Sequence, residues 1–412
     1  MKLVAPERVG MNGDSLSHIG TLLRERYIKP GKIAGSSTLV ARGGKLCYFE
    51  QEGLMDRERG TLMRADTIFR IYSMTKPVTS IALMQLFEQG RFALTDPVGR
   101  YIPELANMRL WKAGRYPNFE TVPSERPIEI RDLLMHTAGF TYDFLQQSNV
   151  DAAYGKLKLG WPTPGNTLKE MIGQLAELPL LFIPGSRWNY SVATDVVGYL
   201  VEVLSGMSLD DYFKKYIFGP LGMVDTGFEI PAANQERFAA CYERRADKSV
   251  VLQDDPQKSH YRERSFLSGG GGLVSTMSDY YRFCQMLLAG GSLEGVRIIG
   301  RKTLEFMAQN HLPGSADLGD FATGGFSETA YEGIGFGLGF AVKDNAVKNA
   351  SSGSNGQYFW GGLASTLFWI DPKEDLIAIF MTQLIPSSTY NFRGQLEAII
   401  YGAVDGGAQP YG

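Results

Sequence analysis

Cysteine and histidine are scarce in this 412-residue chain, with three of the first and four of the second. Cys47, Cys241 and Cys284 are odd in number and scattered, so they set no disulfide framework. They suit a reducing compartment, which predicts a cytoplasmic protein. His18, His136, His260 and His311 show neither a partner at metal-helix spacing nor a His-Glu-x-x-His, so they imply no metal site. An excess of one charge is also lacking. Forty-one Lys plus Arg against 44 Asp plus Glu leave a net −3, so no global field draws the chain to nucleic acid or an anionic membrane. No 18-residue apolar run exists, so no membrane span is expected. The opening MKLVAPERVG is broken by charges and does not read as a secretory signal. No Gly-x-Ser-x-Gly occurs, which removes the nucleophile elbow of the α/β-hydrolases.

What is present supports a large core: 44% of residues are apolar and 12% aromatic. Leu16, Ile19, Leu22 and Leu23 form a helical stripe within 6–30, ended by Pro30. Two β-rich runs flank Arg42-Gly43-Gly44-Lys45, a hairpin signal. A short strand over 67–71 leads into Tyr72-Ser73, and a helix follows over 75–89. Further helices are predicted at 166–178, 194–205, 208–217, 277–289 and 301–309, with long loops at 104–127 and 145–165. Beyond 330 the pattern turns to period two. GIGFGLGFAV reads as β, strands follow at 365–370 and 375–381 around a turn at 371–374, and an apolar helix covers 391–404. The expected architecture is α/β (α+β). Residues 1–75 and 325–412 build an antiparallel sheet flanked by terminal helices, and 76–324 a mainly helical lobe with long loops. A small-molecule site is expected in the crevice between them. The oligomeric state is not legible.

One nucleophile pattern stands out. Ser73-Met74-Thr75-Lys76 is the only Ser-x-x-Lys in the chain. On a helix this spacing sets both side chains on one face, with Cβ atoms about 5–6 Å apart, so the lysine reaches the hydroxyl. A helix N-terminus also favours developing negative charge. A capping serine followed by a solvated lysine is the competing reading, and the motif alone does not decide between them. His136, at a predicted helix end, reads as structural. Gly269–Gly272 lacks a phosphate-loop context and reads as turn and packing glycine.

Context decides. IFRIYSMTKPVTSIALMQLFEQG, LLMHTAGF, IPGSRWNYSVATDVVGYLVEVLSG, YIFGPLGMVDTGF, GGGGLVSTMSDYYRFCQMLLAGG and YFWGGLASTLFWIDP occur in this order. Together they resemble the landmarks of class C β-lactamases and their esterase relatives, the family VIII carboxylesterases. The resemblance implies a β-lactamase/transpeptidase-like fold. It places Tyr190 beside Ser73 and Lys76 as the third catalytic group, with the Lys76 ammonium pulling the Tyr190 phenol toward phenolate. It implies an oxyanion hole from the main-chain N–H groups of Ser73 and Leu363.

Two departures matter. The tyrosine motif reads Tyr190-Ser191-Val192 where lactamases usually end in asparagine, and Trp360-Gly361-Gly362 stands where lactamases carry Lys-Thr-Gly. Lys302-Thr303-Leu304 lies in a predicted helix and does not replace it. Tryptophan cannot hold a substrate carboxylate and adds an apolar wall. The glycines beside it let a substrate approach the backbone. Trp360, Gly361 and Gly362 are therefore candidate substrate-binding residues; Tyr142 and Asp143, which follow the HTAG turn, and Asp195, five residues after Tyr190, are further ones, with Phe144, Trp161 and Trp188 as secondary ones. The implied activity is a cofactor-free serine esterase acting on small, uncharged short- to medium-chain acyl esters, with weak β-lactam turnover allowed. An acyltransferase, a β-lactamase or D-Ala-D-Ala carboxypeptidase, and a non-catalytic ligand-binding member of the fold are the alternatives.

Overall fold

A computed structural model describes residues 2–161, 166–263, 266–326 and 328–405. Its centre is an eight-stranded antiparallel sheet. From one edge the order is Ile334–Phe336, Ala341–Lys343, Tyr358–Gly362, Thr366–Asp371, Leu376–Met381, Gly35–Arg42, Lys45–Asp56 and Thr61–Leu62. The two ends of the chain meet at one seam, where Ser37 faces Met381 and Arg42 faces Leu376. Gly35–Arg42, Thr366–Asp371 and Leu376–Met381 are buried at every position, as strands covered on both faces must be. The helices Gly13–Leu23 and Phe392–Gly402 pack together beside the sheet. Met277–Leu288 lies against Thr366–Asp371 and Leu376–Met381, with Tyr280 edge-on to Phe368.

Thr75–Glu88 is apolar nearly all round and correspondingly buried from Thr75 to Met84. It packs on Ala193–Ser205. Burial on every side explains why its apolar residues do not form a single stripe.

Three expectations are corrected. GIGFGLGFAV is not one strand but two three-residue strands joined by a turn, because Leu338 N–H is drawn off to the Met307 carbonyl (2.9 Å). The supposed loop 104–127 contains the hairpin Arg109–Arg115/Asn118–Pro123. The supposed loop 145–165 contains the helix Asn149–Leu157, started by a Ser148/Asp151 capping box, and its last four residues lie outside the described ones. The helical part also carries a small sheet of Cys241–Arg244 and Val250–Asp254 with Leu384–Ile385. Among the described residues no helix is long and apolar enough to cross a membrane.

Candidate active site

Ile68–Arg70 pairs antiparallel with Val274–Thr276. Ile71 N–H donates to the Leu273 carbonyl, and Leu273 N–H donates to Thr75 Oγ1, both at 3.1 Å. These bonds clamp the turn between them, where Tyr72 sits at φ 41°, in the left-handed region. Such a backbone costs about 1–3 kcal/mol and persists only when neighbours over-determine it. Ser73 follows, in a single turn (Tyr72–Met74) that runs directly into Thr75–Glu88. Lys76 is therefore one turn on, along the same face.

Tyr190 arrives from the other side. The stretch before Ala193–Ser205 is strapped to residues 136–141. Asn189 N–H donates to the His136 carbonyl, Asn189 Nδ2 to the Phe140 carbonyl and Val192 N–H to the Thr141 carbonyl. His136, with Nδ1 at 3.2 Å from Ser191 Oγ and its ring edge-on to Tyr190 and Trp188, is a packing residue behind the tyrosine.

The three side chains converge. Tyr190 Oη donates to Ser73 Oγ at 2.6 Å, and Lys76 Nζ lies 3.2 Å from the same oxygen. Lys76 Nζ also donates to Tyr142 Oη (3.0 Å) and to the Gly270 carbonyl (2.7 Å). Its Nζ stands 4.6 Å from the centre of the Tyr190 ring. Gly270 is held by Asp195, whose Oδ1 accepts from Gly270 N–H (3.0 Å) and Ser268 Oγ (2.6 Å). A Cβ on Gly270 would stand 2.6 Å from Asp195 Oδ2, so only glycine allows this approach. The glycine run thus supplies an acceptor to the site, which its reading as packing glycine missed.

Burial sets the electrostatics. It lowers the Lys76 ammonium to about 8, against the opposing pull of Asp195 and Glu328. It pushes the Tyr190 phenol well above 10, and the Glu328 carboxylate adds to that, while the hydrogen bond to Ser73 opposes it. The expected phenolate is therefore corrected: Tyr190 rests as a phenol, and Lys76 is the group that reaches its neutral, proton-accepting form near neutral pH. The physical reason is that desolvating a phenolate outweighs the lysine standing over the ring face.

Ser73 and Leu363 share a cleft of about 460 Å³ with Tyr72, Tyr142, Phe144 and Trp161. Among the described residues neither Ser73 N–H nor Leu363 N–H has a hydrogen-bond partner. Ser73 lies in a first helical turn, and Leu363 follows the last residue of its strand. Both donors are available to an oxyanion.

Several candidate substrate contacts fall elsewhere. Trp360 is fully buried, tilted against Tyr190 and edge-on to Phe336, so it backs the tyrosine and does not wall the cleft. Gly361 faces a neighbouring cavity. Gly362 is glycine because a Cβ would overlap the Ile71 carbonyl and the Thr366 hydroxyl, not to admit substrate. Asp195 is buried behind Gly270. Asp143 does not line the cleft; it accepts from the Trp161 indole (2.9 Å), which does. Trp188 is fully buried and stacked on Tyr190. Tyr142, Phe144 and Trp161 do line the cleft. Glu328 and Ser268 line it as well, from segments that carried no recognisable chemistry in the sequence. Among the described residues no cluster of three or more metal-ligating side chains occurs.

The family model described as "Beta-lactamase" matches residues 23–399. Protein Rv1367c of Mycobacterium tuberculosis is 36% identical, over 86% of this chain and 87% of its own. Esterase EstB of Burkholderia gladioli is 31% identical, over 92% of this chain and 93% of its own. Among solved structures, EstCE1, described as a hydrolase with promiscuous acyltransferase activity, superposes with a TM-score of 0.78 at 28% identity, covering 95% of this chain and 99% of that one.

Proposed function

The chain belongs to the serine β-lactamase-like family, and from that premise we propose that it is a serine carboxylesterase of the family VIII kind, acting on short- to medium-chain acyl esters. One observation carries the reading. Ser73 Oγ is flanked at 2.6 Å by Tyr190 and at 3.2 Å by Lys76, in a cleft it shares with Leu363, and among the described residues the N–H groups of Ser73 and Leu363 have no hydrogen-bond partner.

The geometry supports a balanced cycle. Neutral Lys76 donates its two N–H bonds to Gly270 and Tyr142, and its lone pair accepts the Ser73 proton as Oγ attacks the ester carbonyl. The oxyanion rests on the N–H groups of Ser73 and Leu363. Tyr190 protonates the departing alkoxide and becomes a phenolate, beside an ammonium at Lys76. Water then attacks the acyl-enzyme while the phenolate takes its proton, and Lys76 returns a proton to Ser73 as the acid leaves. The phenolate exists only in the acyl-enzyme, where the new ammonium at Lys76 favours it.

A second reading, transfer of the acyl group to an alcohol in place of water, is favoured by the superposition on EstCE1. It uses the same intermediate and is detected as new esters when acceptor alcohols are added. We further read the sheet of residues 1–75 and 325–412 and the helical 76–324 as two lobes with the cleft between them. The compartment is read as cytoplasmic on the three buried, unpaired cysteines.

Hydrolysis of p-nitrophenyl acetate, butyrate and octanoate by wild type and Ser73→Ala, with nitrocefin alongside, tests the main reading. Wild type should cleave the esters with little nitrocefin turnover. Ser73→Ala should lose about 10³–10⁶-fold, as removal of a nucleophile does. A Ser73→Ala protein as fast as wild type would sink the esterase reading.

A further inference from the structure

Two cavities meet at one side chain. Glu328 lines both the cleft of Ser73 and a second cavity of about 720 Å³ beside the first turn of Phe392–Gly402. It is half-buried and lies over Gly361, where an added methyl would meet its Cβ at 3.4 Å. Oε2 accepts from Ser387 Oγ at 2.7 Å. Among the described residues Oε1 has no donor, and no cation lies within ion-pair distance of the carboxylate.

The nearest cations are already engaged. Lys76 Nζ is engaged by Tyr142 Oη, the Gly270 carbonyl and Ser73 Oγ. Arg393, on the second cavity, donates to the Trp360 (2.9 Å) and Phe368 (3.3 Å) carbonyls and rests on the Phe359 ring. Both attract Glu328 from a distance. Across the cleft, Asp254 is neutralised by Arg70 at 2.7 Å, and Lys258 is exposed at the rim, where solvent and salt screen it. Among the described residues the one unmatched interior charge on the cleft wall is therefore negative. A carboxylate in that setting attracts a substrate cation or N–H donor and repels a substrate anion.

We propose that Glu328 is a specificity-determining residue: it selects esters bearing an ammonium or other cationic group and turns away esters bearing a carboxylate. The proposal rests on the esterase reading and adds the substrate class to it. It also inverts the charge logic of a site built to hold a substrate carboxylate, so little β-lactam turnover is its corollary. Burial raises the Glu328 carboxyl to about 7, against the pull of Ser387, Lys76 and Arg393. Selection should be fully developed at pH 8.5 and weaken below about 7.

Two matched series test this at pH 8.5. One carries the charge on the alcohol: acetylcholine, its uncharged isostere 3,3-dimethylbutyl acetate, and 4-acetoxybutyrate. The other carries it on the acyl chain: p-nitrophenyl esters of 4-(trimethylammonio)butyrate, of 5,5-dimethylhexanoate and of glutarate as the monoanion. In at least one series, kcat/KM for the cation should exceed the isostere by about tenfold, and the anion should fall about tenfold below it. Glu328→Gln should bring all three within about twofold, and Glu328→Asp should keep the order. Wild type that cleaves the neutral esters without discriminating charge in either series overturns the proposal and leaves the esterase reading intact. So does a Gln variant that discriminates as wild type does. If wild type cleaves no ester, the esterase reading falls. Binding of the same compounds to Ser73→Ala and Ser73→Ala/Glu328→Gln by calorimetry then decides: tighter cation binding that needs Glu328 upholds the charge selection, and equal binding overturns it.

Discussion

At the scale of single residues, the proposed cycle divides two proton tasks between two groups that burial treats in opposite ways. Lys76 is pushed down to about 8 and Tyr190 well up, so the resting pair is an amine and a phenol only above about pH 8. The base must be unprotonated, so kcat/KM for a neutral ester should rise with pH and level off above about 8. Glu328 favours the Lys76 ammonium, so Glu328→Gln should move that rise to lower pH. A stopped-flow pH series on both proteins checks the sign. Tyr190 serves the leaving group, so its loss should depend on what leaves. Tyr190→Phe should cost about 10²–10⁴-fold on alkyl esters and distinctly less on p-nitrophenyl esters, whose anion departs without a proton. Equal losses on the two would assign Tyr190 to another step.

At the scale of elements, Tyr358–Gly362 and the glycine loop act as rulers. Gly362 lets its strand lie against the Ile71 carbonyl, which brings the next residue, Leu363, to the cleft it shares with Ser73. Gly362→Ala should displace that donor and lower kcat by about 10²–10³, with KM changing less. Gly270→Ala should press on Asp195 and loosen the carbonyl that Lys76 uses, seen as an altered pH profile. Here the limits of sequence reading are also visible. The helices, the 42–45 hairpin and the last strands carry enough period to be legible. The Ser73–Lys76 spacing and the Tyr190 landmark point to three residues that the structure brings together. Four- and five-residue strands such as Cys241–Arg244 and Val250–Asp254 have too little pattern to register. Glu328 belongs to no motif; it reaches the cleft through Ser387 and Gly361, contacts set only by tertiary packing. Asp195 looked like a site residue by its distance from Tyr190, yet its helix turns it toward the glycine loop.

At the scale of the whole molecule, the sheet is held by charged residues as well as by its apolar faces. Lys343 Nζ pairs with Glu397 Oε2 at 3.0 Å, both nearly inaccessible, and Gln357 Nε2 donates to Glu397 Oε1 at 2.7 Å. This joins a strand near one edge to the last helix. Removing one partner leaves a buried charge, so Glu397→Ala should destabilise by about 3–5 kcal/mol. The expected signature in urea is a lower midpoint with an unchanged m-value. The seam between Gly35–Arg42 and Leu376–Met381 has a consequence in time. The partners that face each other lie about 340 positions apart along the chain. At about 5–20 residues per second, a ribosome has made the first strand roughly 20–70 s before its neighbour exists. Through that interval the early hairpin offers an open hydrogen-bonding edge to any passing strand. The yield of folded protein in a cell is therefore set by how well that waiting edge is shielded, and slower translation of the middle of the message should lower it.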